Sequence, residues 1–143
     1  MILYLDTSAL VKRYFRESYS DEILARWKVA AQIVTSFVAY AETMASIYRK
    51  KREAGLDDLL IREIAGSFRR DWESFIRVEV NEELSESIDR VVEGYPLRGF
   101  DAIHLASALA IHKVFPDDFV FACFDDRLAR AAESEGLQVI GGR

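Results

Sequence analysis

Five short apolar runs, each separated from the next by at least one stretch of helical periodicity, limit what this chain can fold into. They fall at residues 2–5, 31–35, 76–80, 119–123 and 137–140. Runs of this length without alternation read as strands buried on both faces. Arg77 and Glu79 break the pattern in the third, which marks it as a sheet edge. Since every connection carries a helix, hairpins are excluded and parallel pairing is favoured. The expected fold is therefore α/β. One domain over residues 1–143 surrounds a central, mostly parallel sheet of four to five strands, with helices on both faces.

The helices are legible from their caps and apolar faces. A first helix follows Asp6 and carries Ala9, Leu10, Val11, Tyr14 and Phe15. Ser20 reads as the cap of a second, and Ser36 as the cap of a third over about 37–52, with Gly55 past its end. Asp57 begins a strongly amphipathic helix bearing Ile61, Ile64, Ala65, Phe68 and Trp72. Another runs over about 82–93, and Gly94, Pro96 and Gly99 then break the chain. Asp101 opens a helix to about residue 114 that is apolar almost all round, as expected of a central, buried helix. A last helix follows Asp125 and Asp126.

Composition narrows the chemistry. At 143 residues the chain can bury a real core, and no apolar run reaches membrane-span length. With a strand at residue 2 and no charged-then-apolar leader, the N-terminus reads as uncleaved. A lone cysteine, Cys123, excludes an internal disulfide and a cysteine zinc site, and fits a reducing cytoplasm. Residues 79–93 hold six acids and one Arg, which accounts for the whole net charge of −5. Arg49, Lys50, Lys51 and Arg52, with Arg62, Arg69 and Arg70, form a locally basic region, so acidity overall does not exclude nucleic acid.

Four acids stand apart from the solvated charges. Asp6 follows the first strand and Asp125 the fourth. Asp101 starts the most apolar helix, and Glu42 sits inside a helix among Ala39, Ala41, Met44 and Ala45. Taken singly, the three Asp residues are explained as helix caps or first-turn charges, and Glu42 as a surface residue paired with a base. Taken together, at the strand C-terminal edge where α/β sheets bind ligands, they would repel one another and partly protonate. A hard divalent cation resolves that repulsion, and oxygen-only ligands select Mg²⁺ or Mn²⁺.

The segments Leu5-Asp6-Thr7-Ser8-Ala9-Leu10, Ala41-Glu42, Asp101-Ala102-Ile103-His104-Leu105-Ala106, and Asp125 with Arg127-Leu128-Ala129 resemble the PIN-domain family. The likeness is greatest to its VapC-like branch, the ribonuclease toxins of type II toxin–antitoxin systems, and it spans residues 3–139. Asp6, Glu42, Asp101 and Asp125 match the family's four metal-ligating acids in order and spacing, and Ser8 matches a small hydroxyl residue beside the first. One departure is visible: Cys123 stands where the family often has Thr or Ser, which puts a hydrogen bond around Asp125 in question. Counting back from Leu128 favours Asp125 over Asp126 as the fourth acid.

The resemblance implies a cytoplasmic Mg²⁺- or Mn²⁺-dependent endoribonuclease that hydrolyses RNA phosphodiester bonds, leaving a 5′-phosphate and a 3′-hydroxyl. It further implies a small antitoxin whose tail docks in an apolar groove and sends an Arg or Lys into the acidic site, a homodimer, and no membrane. The alternative is a non-catalytic PIN-like module that binds RNA or protein, against which the intact set of four acids argues. Haloacid-type phosphatases need a second Asp at the position of Ser8, and response-regulator receivers need paired acids at the start; this chain has neither. Lys12, Arg13, Arg49 and Arg98 are candidate phosphate contacts, with solvated surface charge as the competing account. His104, one turn beyond Asp101, reads as a packed or hydrogen-bonded structural histidine, with a role near the site as the alternative.

Overall fold

Strand β1 (Ile2–Leu5) is the centre of a five-stranded parallel sheet. Its neighbours are β2 (Gln32–Ser36) and β4 (Phe119–Ala122), and β3 (Ile76–Val78) and β5 (Gln138–Ile140) form the edges, in the order β3-β2-β1-β4-β5. The computed structural model describes residues 1–141. The chain moves outward from β1 through β2 to β3, then crosses back to β4 on the other side of β1. Strand order therefore reverses between β1 and β4, and at such a point the connections leave in opposite directions and open a crevice. Leu3 pairs with both Ile33 and Val120, and Leu5 with Ala122, so β1 and β4 end level with each other.

Alternate side chains of the strands feed two cores. Leu3, Leu5, Ile33, Val120 and Ala122 face the N-terminal helices: α1 (Thr7–Leu10), α2 (Ser20–Val29), α3 (Ala39–Ala54) and α4 (Asp58–Ser74). Ile61, Ala65, Phe68 and Trp72 form one buried stripe of α4 at helical spacing. Tyr4, Val34, Phe119 and Phe121 face the other way, toward α5 (Glu82–Gly94), α6 (Gly99–Val114) and α7 (Asp126–Ser134). On α6, Ala102, Ala106, Ser107 and Ala108 are buried, and small side chains there let the helix lie close to the sheet. No helix among the described residues is long and apolar enough to cross a membrane.

Sequence and structure differ at several helix starts. The first helix is a single α-turn followed by a 3₁₀ turn, Val11–Arg13, rather than one helix to residue 15. Tyr14 is drawn instead against Phe68, and its hydroxyl donates to Asp71 (2.8 Å). Ser20 is the first residue of α2, not its cap; its hydroxyl donates to the Phe15 carbonyl and accepts from the Glu17 N–H. Ser36 ends β2, and α3 starts at Ala39. Asp57 caps α4 as expected, and Gly55 ends α3 at φ 62°, a left-handed conformation that glycine adopts without steric penalty.

Candidate active site

The sheet edge formed by the ends of β1, β2 and β4 opens into a groove of about 630 Å³. Thr7, Ser8, Glu42, Asp101, His104 and Asp125 line it together with Lys12, Arg49, Lys50 and Arg98. Asp6 lies behind Ser8 and is only 4% exposed. Thus the four acids singled out in the sequence come to one edge, from β1, α3, α6 and the turn after β4.

Asp6 is held from two directions. It caps α1: its Oδ1 accepts from the Ala9 N–H (2.9 Å) and from the Ser8 hydroxyl (2.7 Å). Ser8 Oγ in turn accepts from the Phe124 N–H (2.9 Å), which ties the loop after β4 to the first acid. Both of these bonds to Asp6 fall on Oδ1 rather than Oδ2. Burial drives the Asp6 carboxyl up to about 6, against the pull of His104 and of the Ser8 and Ala9 bonds, with a small further rise from the charge of Asp101.

Glu42 is fixed differently. Burial acts to raise its carboxyl, but hydrogen bonds from His104 and Thr7 outweigh it and hold the group below the usual range. Thr7 Oγ1 donates to Glu42 Oε1 (2.6 Å), and His104 Nε2 lies 2.9 Å from the same oxygen. His104 Nδ1 lies 2.9 Å from the hydroxyl of Tyr4, a fully buried side chain. The Glu42 carboxylate can only accept, so Nε2 donates to it and Nδ1 is left to accept from the Tyr4 hydroxyl, whose phenol burial raises well above its ordinary value. The network therefore assigns the proton of His104 to Nε2, aimed at Glu42. His104 is both structural and part of the site.

Asp101 sits in the first turn of α6, with Asp125 at the N-cap of α7. Asp125 Oδ1 accepts from the Leu128 N–H (2.9 Å), while Oδ2 faces Arg98. Burial, and next the charge of Asp125, push the Asp101 carboxyl up. Asp126, by contrast, pairs with Arg130 and lines only the neighbouring hollow, whereas Asp125 lines the groove itself. Cys123 is buried, and its Sγ makes a long contact (3.7 Å) to the Asp125 carbonyl, a weak version of what a hydroxyl would give there. The same turn is pressed from behind by Gly141, at φ 150°, where a Cβ would stand 1.7 Å from the Cys123 carbonyl oxygen.

The basic residues divide. Lys12 and Lys50 both reach Glu17 (3.1 Å each), and Lys12 also stacks over the Phe124 ring. Arg49 donates to Ser46 Oγ (3.3 Å) on the same wall. Arg13 is a correction. It does not line the groove; its Nε pairs with Asp71 (3.0 Å) and its guanidinium lies over the Trp27 ring, because the 3₁₀ turn points it away from Lys12. Sequence reasoning missed Thr7 and Lys50 as site residues. Thr7 lies inside the very motif that drew attention to Asp6, and Lys50 follows Arg49.

The donor set is all carboxylate oxygen, the chemistry that suits Mg²⁺ or Mn²⁺; burial chiefly raises Asp6 and Asp101, with a lesser rise from the neighbouring acid in each case. Among the described residues no three His, Cys, Asp or Glu side chains are drawn together tightly enough to chelate an ion in this arrangement. Arg98 spans two of the acids instead, Nε to Asp101 (3.4 Å) and Nη2 to Asp125 (3.7 Å).

The family model of the PIN domain matches residues 3–134. Ribonuclease VapC45 of Mycobacterium tuberculosis is 33% identical over 142 residues, covering 96% of this chain and 94% of the relative. Among solved structures, FitAcB from Neisseria gonorrhoeae superimposes with a TM-score of 0.71 at 15% identity, covering 98% of this chain and 96% of that one. A toxin–antitoxin complex from Klebsiella pneumoniae gives 0.64 at 17% identity, covering 89% and 90%.

Proposed function

The chain belongs to the PIN-domain family, in its VapC-like branch of ribonuclease toxins, and from that premise we propose that it is an Mg²⁺- or Mn²⁺-dependent endoribonuclease acting in the cytoplasm. One observation carries the reading: Glu42, Asp101 and Asp125 face a single groove with Asp6 directly behind it, and among the described residues no lysine or arginine pairs with Asp6 or Glu42. Four carboxylates cannot receive a phosphodiester unaided, since like charges repel. When bound, a hard divalent cation supplies the charge that reconciles acids with phosphate and acidifies the attacking water.

In this reading Asp6 and Asp101 hold the cation directly, with Glu42 and Asp125 completing the set. Ser8 on Asp6 Oδ1, and Thr7 and His104 together on Glu42 Oε1, keep two of those oxygens aimed by hydrogen bonds, so little reorganisation is left for the reacting state. Lys12, Arg49 and Lys50 line the wall of the same groove and track the RNA backbone. Arg49 lies two helical turns from Glu42, about 10 Å along α3. A small antitoxin is the expected protein partner, in keeping with the toxin–antitoxin complex among the solved structures of this fold. A homodimer belongs to the same reading; exposed Phe37, Val80 and Phe100 offer apolar surface for such contacts.

The test is cleavage of a mixed RNA pool by the purified protein. Cutting is expected with Mg²⁺ or Mn²⁺, none in EDTA, and recovery when Mn²⁺ is returned in excess. Products should carry a 5′-phosphate, because water rather than the ribose 2′-hydroxyl attacks. Cutting that persists in EDTA, or that Asp101→Asn leaves intact, would refute the assignment. A further expected outcome concerns Arg49. Arg49→Gln should raise KM about threefold to tenfold with kcat held, and lower the slope of log KM against log salt by about one. A changed kcat with an unchanged salt slope would remove Arg49 from the RNA path.

A further inference from the structure

Arg98 is the cation with the most unusual surroundings in the chain. Among the described residues, no other Lys or Arg pairs with any of the four acids. The other groove cations have their own partners, Lys12 and Lys50 on Glu17 and Arg49 on Ser46. Arg98 and Asp101 line all three hollows that meet around the acids. The backbone of Arg98 is anchored, because its carbonyl accepts the Ala102 N–H at the start of α6 (2.9 Å). Its side chain is not: it is 80% exposed. The contacts to Asp101 and Asp125, 3.4 and 3.7 Å, are longer than the 2.7–2.9 Å of a tight guanidinium–carboxylate fork. A tethered, exposed and loosely held cation therefore spans two acids with which, among the described residues, no other Lys or Arg pairs.

We propose that Arg98 is a built-in counter-ion that competes with the divalent cation for Asp101 and Asp125, and is displaced into the groove when that cation binds. This rests on the metal-dependent reading above. The charge of Arg98 neutralises part of the acid repulsion in the metal-free protein, so it lowers the affinity for metal. Once displaced, the guanidinium stays beside the acids on its backbone anchor, within reach of an RNA phosphate. Because the pair is exposed, salt screens it, and the competition weakens as ionic strength rises.

The experiment is a calorimetric titration of the purified full chain with Mn²⁺ alone, without RNA, for wild type, Arg98→Gln, Arg98→Lys and Asp101→Asn. Circular dichroism confirms that each variant is folded. Arg98→Gln is expected to bind Mn²⁺ about threefold to tenfold more tightly than wild type at low salt, with the gap closing at high salt. Arg98→Lys, which keeps the charge, should stay near wild type. Unchanged or weaker binding by Arg98→Gln overturns the inference, as does equal tightening by Arg98→Lys. Asp101→Asn separates the two levels of the argument. If wild type binds no Mn²⁺, or Asp101→Asn binds it equally well, the metal-dependent reading fails and takes this inference with it. If Asp101→Asn loses binding while Arg98→Gln matches wild type, only the role of Arg98 falls.

Discussion

An Asp6→Asn variant is expected to cut RNA about 10³-fold more slowly than wild type while unfolding at a higher temperature in EDTA. The loss follows from removing a proposed direct ligand: metal stabilisation of the reacting phosphate is worth several kcal/mol, and each 1.4 kcal/mol is about tenfold in rate. The gain follows from burial. Asp6 is 4% exposed, and its carboxyl is pushed up to about 6 mainly by desolvation. Below about pH 4 the group is protonated in folded and unfolded chains alike, so it adds no difference between them. Between about pH 4 and 6 the unfolded chain releases the proton and the folded chain keeps it. Wild-type stability therefore falls as pH rises through this window. Above pH 6 the penalty is complete, at most about 3 kcal/mol for two pH units. Asn has no such charge, yet its side-chain oxygen still accepts from Ala9 and Ser8, and Asn caps helices about as well as Asp. Thermal melts of both proteins in EDTA from pH 4 to 8 would check this. Curves that stay parallel across that range would refute the account of Asp6.

His104→Ala is expected to lower stability by about 2–4 kcal/mol and to weaken Mn²⁺ binding about 10- to 100-fold. Two separate losses combine. The imidazole is 1% exposed and wedged edge-on against the Tyr4 ring, so truncation leaves a cavity under α6. It also removes the His104 partner of the buried Tyr4 hydroxyl and one of the donors to Glu42 Oε1, leaving Thr7. The variant His104→Gln separates these effects. Its amide N–H can still reach toward Glu42, so metal binding should recover more than stability does. Urea midpoints and Mn²⁺ titrations give the two readouts. Metal affinity unchanged in His104→Ala would make the histidine a core residue only.

The four acids were legible because each is marked locally. Asp6 and Asp125 sit where an apolar run stops and a helix begins, and the cap geometry at both confirms that grammar. The parallel sheet was legible from the helix in every connection, and Arg77 and Glu79 correctly placed β3 at an edge. What stayed hidden depends on partners far along the chain. Lys12 and Arg13 are adjacent, and nothing local tells them apart; Asp71 and Trp27 pull Arg13 off the groove. His104 lies on a helix apolar all round, so no polar face betrays its direction, and its partners are Tyr4 and Glu42, 100 and 62 positions away. The first helix ended early for the same reason, since Tyr14 is claimed by α4.

The reversal of strand order between β1 and β4 has a consequence for protein synthesis. Asp6 and Glu42 are made early, after β1 and on α3; Asp101 and Asp125 are made late, on α6 and after β4. β4, which lies beside β1 and leads into the turn bearing Asp125, is the second-last strand to be translated. A ribosome that stalls before residue 119, or a protease that clips there, leaves a fragment whose β1 has one bare edge and no fourth acid. For a chain whose proposed substrate is RNA, a copy cut short before β4 is expected not to cleave it, because Asp125 and the strand that leads into it are missing.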